Sequence, residues 1–303
     1  MSNSTDTFYI TNGVTQDGFG ARMQRCLQVM CFVYQLQSKG IPAEYVHTPF
    51  SYDLDTPLNE DPAIGVEIRS NFTLANAYPY NDIEYDGYMT RAGLWDKALS
   101  FNGKIVHELD LTRLPIKEGI AQLEADCRTS STANSLYVIR YMHNEYDKRL
   151  MDINNFDKHR SKLLNSFDCF TNMNSSGKNI ALHIRRKDCL DKGSRYIDDD
   201  TYTMLLTSLK KLKQTYNITI YTQEVGFNAD LYTDWNVVLD TQMDDFDVFK
   251  KFVSADHLIV GGSSFSYAAA LLNPNVVAYH YNGHQPMTKW INYNNYTKLI
   301  EQL

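Results

Sequence analysis

The chain has few cysteines, the residues that cross-link small secreted proteins, and few prolines and tryptophans. Its 303 residues include five cysteines, eight prolines and three tryptophans. The cysteines are odd in number and form no CxxC pairs; they are Cys26, Cys31, Cys127, Cys169 and Cys189. Scattered cysteines of this kind argue against a disulfide framework and favour free thiols in a reducing compartment.

Long apolar runs and a targeting leader are also missing. Residues 1–6 are polar, and no stretch of about 18 consecutive apolar residues, the length that a membrane helix needs, occurs. We therefore expect a cytoplasmic protein without a membrane span, in a microbial or viral-host cytosol.

An excess of positive charge is absent. Lys and Arg number 29 against 36 Asp and Glu, which gives a formal net charge of −7. This balance argues against a nucleic-acid partner, although one local basic pocket can still hold a phosphate. With 43% hydrophobic and 21% charged residues, the composition is that of a globular protein. The length predicts about two domains.

The first half of the chain has a looser pattern than the second. A strand over 8–11, a loop holding Gly13, Gly18 and Gly20, and a helix over 22–38 open it. The segment 49–88 is rich in Pro, Asn, Asp and Tyr, so we expect irregular loops there. Further elements are predicted as strands over 105–107 and 136–139 and a helical region over 144–165.

From about residue 179 short apolar runs alternate with helical patterns. The runs predict strands over 179–183, 218–221, 237–239, 257–260 and 276–279, with helices over 201–213, 245–253 and 265–272. Such alternation is typical of parallel βαβ units buried on both faces. The sequence therefore predicts an α/β protein with a looser first domain over 1–170 and a compact, Rossmann-like second domain over 171–303.

The strongest local signal is the segment 181–188, Ala-Leu-His-Ile-Arg-Arg-Lys-Asp. A strand runs into adjacent Arg185 and Arg186, with His183 before them and Asp188 after. Ligands of open α/β sheets bind beyond the carboxyl ends of strands, and guanidinium groups match phosphate oxygens. The segment therefore predicts an anion clamp, with Asp188 orienting one arginine. A surface salt-bridge cluster is the alternative.

A second signal follows the predicted strand over 257–260. Two glycines, then Ser263, Ser264 and Phe265, lead into an alanine-rich helix. Backbone N–H groups and hydroxyls at a helix N-terminus bind anions. Plain N-capping by Ser263 or Ser264 is the alternative, and the two roles can coexist.

Three separated blocks resemble the superfamily of α-1,2-, α-1,6- and protein-O-fucosyltransferases, and are most similar to the α-1,2 type. His183-x-Arg185-Arg186-x-Asp188 is similar to the HxRRxD motif of that superfamily. The runs 244–247 and 254–266 resemble the last block of the α-1,2 enzymes. The segment 17–23, Asp-Gly-Phe-Gly-Ala-Arg-Met, is similar to their glycine-rich first loop.

The resemblance implies a GT-B-like fold, with two Rossmann-like domains facing a cleft and the second domain the more regular. It implies an inverting, metal-independent glycosyltransferase that moves fucose from GDP-fucose to a hydroxyl of a glycan acceptor. Arg185 would contact the β-phosphate and stabilise the departing diphosphate, and His183 and Arg186 would assist it. The remaining donor-side residues are implied to be Gly18, Gly20, Arg22, Asp188, Tyr221, Asp245, Ser263, Ser264 and Phe265.

An inverting transfer gains from a general base near the acceptor hydroxyl. The candidates are Asp17, Asp188, Asp191 and Glu224. Asp17 and Asp191 are preferred, because both are expected to face the cleft between the domains. Acceptor choice is expected to reside in 45–135.

No metal and no cofactor are expected besides the nucleotide-sugar substrate. Acidic pairs occur at 53–55, 108–110 and 198–200, and the last is interpreted as the cap and first turn of a helix. His280 and His284 are four apart, but Asn282-Gly283 breaks a helix between them, which disfavours a zinc pair. Two alternatives remain: the same scaffold with a xylosyl, rhamnosyl or galactosyl donor, and a non-catalytic glycan- or nucleotide-binding module.

Overall fold

The computed structural model describes residues 7–13, 18–49, 65–69, 98–103, 136–140, 155–170, 173, 178–189, 195–212, 215–280, 284, 286–293 and 301. The chain divides into two compact units, Met1–Thr171 and Asn172–Leu303. Each unit has its own sheet.

The first unit contains a four-stranded sheet of order β2-β1-β4-β3. Strand β1 pairs in parallel with β2 and β4, whereas β3 pairs antiparallel with β4. The elements are β1 (Phe8–Asn12), α1 (Phe19–Ser38), β2 (Ala43–Tyr45), β3 (Gly65–Arg69), β4 (Leu136–Arg140) and α2 (Asn155–Asn165).

Helix α1 begins earlier than its apolar pattern predicts. It starts at Phe19, with Gly18 as its N-cap, so Gly20 lies in the first turn of the helix and not in the predicted loop. Burial explains the difference, since 15 of the 20 helical residues are buried and the helix is enclosed on most sides. It ends at Ser38 as predicted, and Gly40 follows at φ 78°.

The prediction of irregular structure over 49–88 is wrong at β3. Residues Gly65–Arg69 pair with β4 in the register Val66↔Ile139 and Ile68↔Tyr137. The β-branched Val66 and Ile68 suit a strand, but neighbours rich in Pro, Asn and Asp concealed them. A distant partner strand supplies the pairing. The predicted strand over 105–107 and the first part of the predicted helix over 144–165 lie outside the described residues.

The second unit contains a six-stranded sheet in which every pair of neighbours is parallel. Its strands are β5 (Asn179–Ile184), β6 (Asn217–Thr222), β7 (Asn236–Leu239), β8 (His257–Val260), β9 (Val276–Tyr279) and β10 (Ile291–Asn292). Its helices are α3 (Asp199–Leu209), α4 (Asp245–Ser254) and α5 (Ser264–Leu272). The α/β class is thereby confirmed.

The strand order of the second sheet is β10-β9-β8-β5-β6-β7. The chain runs outward from β5 through β6 to β7, then returns to the other side of β5 and continues from β8 to β10. The order therefore reverses between β5 and β8, which is the topological switch point of a doubly wound sheet. Buried Leu182, Ile220 and Ile259 from three neighbouring strands share one core with Leu205 of α3.

Two further findings concern the described residues alone. None of their helices is both long enough and apolar enough to cross a membrane. Among the described residues Cys26, Cys31, Cys169 and Cys189 form no disulfide bond, as the scattered spacing predicts, and Cys127 lies outside the described residues.

Candidate active site at the carboxyl edge of the second sheet

The two sequence signals of the second unit meet at its switch point. Strand β5 carries His183 near its carboxyl end and is followed by Arg185 and Arg186. Strand β8 is paired beside it, with Leu182 opposite Ile259, and is followed by Gly261. In open α/β sheets the crevice outside the strand ends at this point is the usual ligand site.

Two glycines allow the loops of this edge to pack backbone against backbone. A Cβ on Gly261 would collide with the carbonyl oxygen of His183, and a Cβ on Gly262 would collide with that of Arg195. Both positions therefore require glycine for close approach rather than for an unusual φ. The turn after β8 is thereby held against the end of β5 and against the loop before α3.

His183 connects β5 to α5. Its Nδ1 lies 2.8 Å from the hydroxyl of Ser266, and both side chains are buried. The imidazole also packs against Phe252 and Phe265, with ring centroids 5.4 and 6.1 Å away. The two motifs are thus joined by a side-chain hydrogen bond as well as by backbone packing.

Arg185 lies at the surface of this edge. It is half-buried, and its Nη1 donates to the carbonyl oxygen of Gly262 at 3.4 Å. That contact places its guanidinium beside the loop that leads into α5. Arg185 therefore combines a fixed position with exposure, which is what an anion-binding arginine requires.

Arg186 has the opposite environment, with none of its side chain exposed. Its Nη2 pairs with the carboxylate of Asp199 at 2.5 Å, and its Nη1 donates to the carbonyl oxygens of Arg185 and Ile197. Burial disfavours the charge, but the hydrogen bond and the charge of Asp199 outweigh it, so the pKa of Arg186 is raised. The guanidinium of Arg186 is paired inside the protein, and of the two adjacent arginines only Arg185 is partly exposed.

Asp199 is a residue that the motif analysis missed in this role. Its Oδ1 accepts from Arg186 and also from the hydroxyl of Tyr232 at 2.6 Å. The sequence analysis assigned Asp199 only to the first turn of α3. A buried arginine is stable only when a carboxylate or other acceptor pairs with it, but the sequence around Arg186 does not indicate which carboxylate does so.

The N-terminus of α5 completes the edge. Ser263 is its N-cap, and the Ser263 hydroxyl accepts from the N–H of Phe265 at 3.2 Å, so the capping prediction is confirmed. The helix runs for nine residues, and its dipole favours an anion at this end. The Phe265 ring packs on Phe249 and Phe252 beneath it.

His284 lies at the same edge, although the sequence analysis considered it only as a metal ligand. Its Nε2 lies 3.2 Å from the hydroxyl of Ser264, the first residue of α5. Its ring is stacked on Tyr267, with centroids 4.5 Å apart. The edge therefore holds one more polar ring than the motifs predict.

The other donor-side candidates of the second unit have supporting positions. Tyr221 is opposite His183 in the β5–β6 register, and its buried ring meets Phe252 edge-on at 5.2 Å. Burial raises the pKa of Tyr221. Asp245 is the first residue of α4, behind the N-cap Asp244. Gly18, Gly20 and Arg22 belong to the first unit, at the start of α1.

The general base stays a prediction. Asp17 and Asp191 lie outside the described residues, as does the side chain of Asp188. Glu224 is exposed, and its N–H donates to the carboxylate of Asp240 at 3.0 Å.

The acidic run at 198–200 is a helix start, as predicted. Asp198 caps α3 by accepting from the N–H of Thr201 at 2.6 Å, which lowers the pKa of Asp198. Within the described part of the chain no group of three or more His, Cys, Asp or Glu side chains is placed to hold a metal ion. The pairs at 53–55 and 108–110 lie outside it.

A cleft of about 540 Å³ lies at the opposite edge of the same sheet, where the strands begin. Lys178, Tyr216, His257 and Lys289 contribute to its walls. Helix α4 ends next to the start of β8, so its C-terminal carbonyl groups face this edge. Helix C-termini disfavour anions, whereas Lys178 and Lys289 add positive charge to the walls of this cleft.

No protein-family model and no curated protein matches the sequence. The structure is similar to that of POFUT1 in complex with GDP, with a TM-score of 0.45 and 8% identity over 91% of this chain and 98% of that one. It is similar to E. coli heptosyltransferase WaaC with ADP-2-deoxy-2-fluoro heptose, with a TM-score of 0.43 and 9% identity over 97% and 99% of the two chains. A variant of the wall teichoic acid polymerase TagF gives a TM-score of 0.26 and 13% identity over 91% and 70%.

Proposed function

We propose that this chain is an inverting, metal-independent glycosyltransferase of the GT-B type, with GDP-fucose as donor and a hydroxyl of a glycan as acceptor. The observation that carries the proposal is the position of Arg185 beside the N-terminus of α5 at the switch point. The choice of fucose rests on the HxRRxD-like segment 183–188.

The chemistry explains why this edge suits the reaction. As the bond between the sugar and the diphosphate breaks, positive charge develops on the sugar ring and negative charge on the leaving phosphate. Fixed positive charge at the leaving group lowers the barrier most when it is already in place. Arg185 supplies a guanidinium, and α5 supplies backbone N–H groups and the positive end of a helix dipole.

The remaining residues have distinct proposed parts. The His183–Ser266 hydrogen bond keeps the end of β5 and the start of α5 together, so that both phosphate-binding groups keep their spacing. Residues 171–303 form the donor domain in this proposal, and 1–170 the acceptor domain. Asp17 or Asp191 removes the proton of the acceptor hydroxyl, and the enzyme works in the cytosol.

Thermal stabilisation by nucleotides tests the donor. The full chain is heated with GDP, UDP, dTDP or CDP, each with and without EDTA. A nucleotide at about a hundred times its Kd adds roughly 2.7 kcal/mol to the stability of the native state. Stabilisation by GDP alone, unchanged by EDTA, is the expected result. Preference for UDP or dTDP would instead indicate another sugar on the same scaffold, and no stabilisation by any nucleotide would overturn the proposal.

Release of GDP from GDP-fucose distinguishes an enzyme from a binding module. A mixture of oligosaccharide acceptors should accelerate GDP release by the full chain. A protein that binds GDP but releases none from GDP-fucose with any acceptor is a non-catalytic module.

A further inference from the structure

The buried guanidinium of Arg186 lies between the proposed phosphate-binding arginine and the start of α3. We propose that Asp199 and Tyr232 are positioning residues, which act through Arg186 to hold the main chain of Arg185 in its ligand-binding place. The part of this inference that concerns donor binding rests on the proposed function.

The contacts form a continuous chain from Tyr232 to Arg185. The Tyr232 hydroxyl donates to Asp199 at 2.6 Å, and the same Asp199 oxygen accepts from Nη2 of Arg186. The other terminal nitrogen of Arg186, Nη1, donates to the carbonyl oxygen of Arg185 at 2.8 Å. The guanidinium therefore transmits the position of α3 directly to the backbone of Arg185.

The same guanidinium also fixes the neighbouring loop. Nη1 of Arg186 donates to the carbonyl oxygen of Ile197 at 3.1 Å, two residues before Asp199. The centroids of the Tyr196 and Tyr202 rings lie 5.0 and 5.5 Å from the guanidinium carbon, and aromatic faces at this distance attract a cation. Each contact restricts the direction of the guanidinium plane.

The backbone conformation of the residue after Arg186 explains why the turn after β5 needs to be restrained. Lys187 has φ 47°, a left-handed conformation that a side-chain-bearing residue adopts only where its surroundings hold it. The N–H of Arg186 donates to the side-chain oxygen of Gln223 at 2.7 Å, and that of Lys187 to the carbonyl oxygen of Val225 at 3.0 Å. The turn after β5 is thus tied on both sides.

A hydrophobic side chain of similar volume could fill the same space with equal stability, since buried ion pairs often add little to it. Only a directed donor, however, reaches the carbonyl oxygens of Arg185 and Ile197 together. The positioning role therefore predicts an effect on ligand binding that depends on the Arg185 side chain, which a purely stabilising role does not.

The test compares Asp199→Asn with Asp200→Asn as a matched control. Both substitutions remove one negative charge from the first turn of α3, but Asp200 is exposed. Hydrogen exchange of 184–189 is measured without ligand, and GDP binding is measured by calorimetry. Asp199→Asn should raise the exchange of that segment and the Kd for GDP by about tenfold each, the scale of a hydrogen bond between charged groups. Asp200→Asn should change neither by more than about twofold.

A double-mutant cycle with Arg185→Ala tests the dependence on that side chain. In the Arg185→Ala background, Asp199→Asn should raise the Kd for GDP by less than about twofold, because the group it positions is gone. Tyr232→Phe keeps the ion pair and removes one hydrogen bond, and should raise the Kd by about threefold. If Asp199→Asn fails to fold, the hydrogen exchange and GDP affinity of Tyr232→Phe test the positioning role instead.

Equal hydrogen exchange of 184–189 in the wild type, Asp199→Asn and Tyr232→Phe would overturn the proposal, whatever the result of the nucleotide-binding measurement. Faster exchange with unchanged GDP affinity would also overturn it, because the restraint would then have no bearing on the ligand. If the wild type binds no nucleotide, the proposed function fails, and the exchange measurement still decides whether Asp199 holds the Arg185 segment.

Discussion

Arg185 and Arg186 are adjacent in sequence, yet their side chains have opposite surroundings. Arg185 is half-buried at the carboxyl edge, whereas Arg186 is fully buried and paired with Asp199. One arginine is thereby available to a ligand and the other braces the turn.

Replacing Arg185 by alanine should weaken GDP binding with little loss of stability. A charged hydrogen bond to phosphate contributes about 1.5–3 kcal/mol, so we expect the Kd to rise about 10- to 100-fold. Calorimetry on the full chain measures it. Lys210→Ala removes the same charge from an exposed ion pair with Asp234 and should leave the Kd unchanged. Equal Kd values for wild type and Arg185→Ala would contradict the site assignment.

His257 should make the stability of the protein depend on pH. Burial, opposed by the weaker pull of Asp256, holds the pKa of His257 below its ordinary value of 6.5. The unfolded chain therefore takes up a proton at His257 before the native protein does. The contribution of the neutral ring is complete above 6.5 and is lost as the pH falls below 6.5 toward the native pKa.

Urea unfolding at several pH values measures this effect. The wild type should lose stability more steeply than His257→Gln as the pH falls from about 7.5 to about 5.5. Parallel pH profiles for the two proteins would show that His257 carries no such linkage.

At the scale of elements, the segment formed by β8, the glycine turn and α5 contributes most of the candidate active site. Strand β8 is buried at all four residues, and α5 is capped by Ser263. Gly261 lets the turn approach β5, and Ser266 then bonds to His183. The turn therefore packs β8 and α5 against β5, in addition to the ligand-binding role proposed for it.

Gly261→Ala should destabilise the protein, because its Cβ would meet the carbonyl oxygen of His183. Forcing a methyl group into a packed site costs about 1–3 kcal/mol, and GDP affinity should fall as the turn moves away from Arg185. Chemical denaturation measures the change in unfolding free energy. Gly18→Ala is the matched control for stability, since Gly18 has φ −65° and open space around it. A Gly261→Ala protein as stable as the control would refute the close-packing role.

Local pattern predicted most elements of the second unit. Strands β8 and β9 begin and end where their apolar runs do, and α4 and α5 differ from their predicted bounds by one residue each. The two strands agree with the prediction because short apolar runs between helical patterns are typical of parallel strands buried on both faces. Strands β2, β3 and β10 were missed, since short strands depend on a partner strand for their hydrogen bonds.

At the scale of the whole molecule, the two units contain separate sheets that differ in strand order and direction. The second sheet reverses its strand order between β5 and β8, and ligands of doubly wound sheets usually bind at such a switch point. The first sheet mixes three parallel strands with one antiparallel edge strand. In the proposed function the phosphate site belongs to the second unit and acceptor binding to the first.

Saturating GDP should protect the amides of the carboxyl edge of the second sheet from hydrogen exchange. We expect slower exchange at 182–188 and 261–267, because Arg185 and the α5 N-terminus contact the diphosphate there. At the opposite edge of this sheet, around Lys178 and Tyr216, amide exchange should slow only as far as the overall stabilisation of the protein by GDP requires. Protection centred on that edge would move the nucleotide site to the opposite cleft.

The sequence by itself determined the α/β class, the parallel strands of the second unit and the location of its two chemical segments, because these depend on local periodicity. The tertiary structure alone decided that Arg186 faces inward to Asp199 and that His183 binds Ser266. These partners are 13 and 83 residues apart. Strand register and the close approach allowed by Gly261 bring such residues together, and neither leaves a local signal in the sequence.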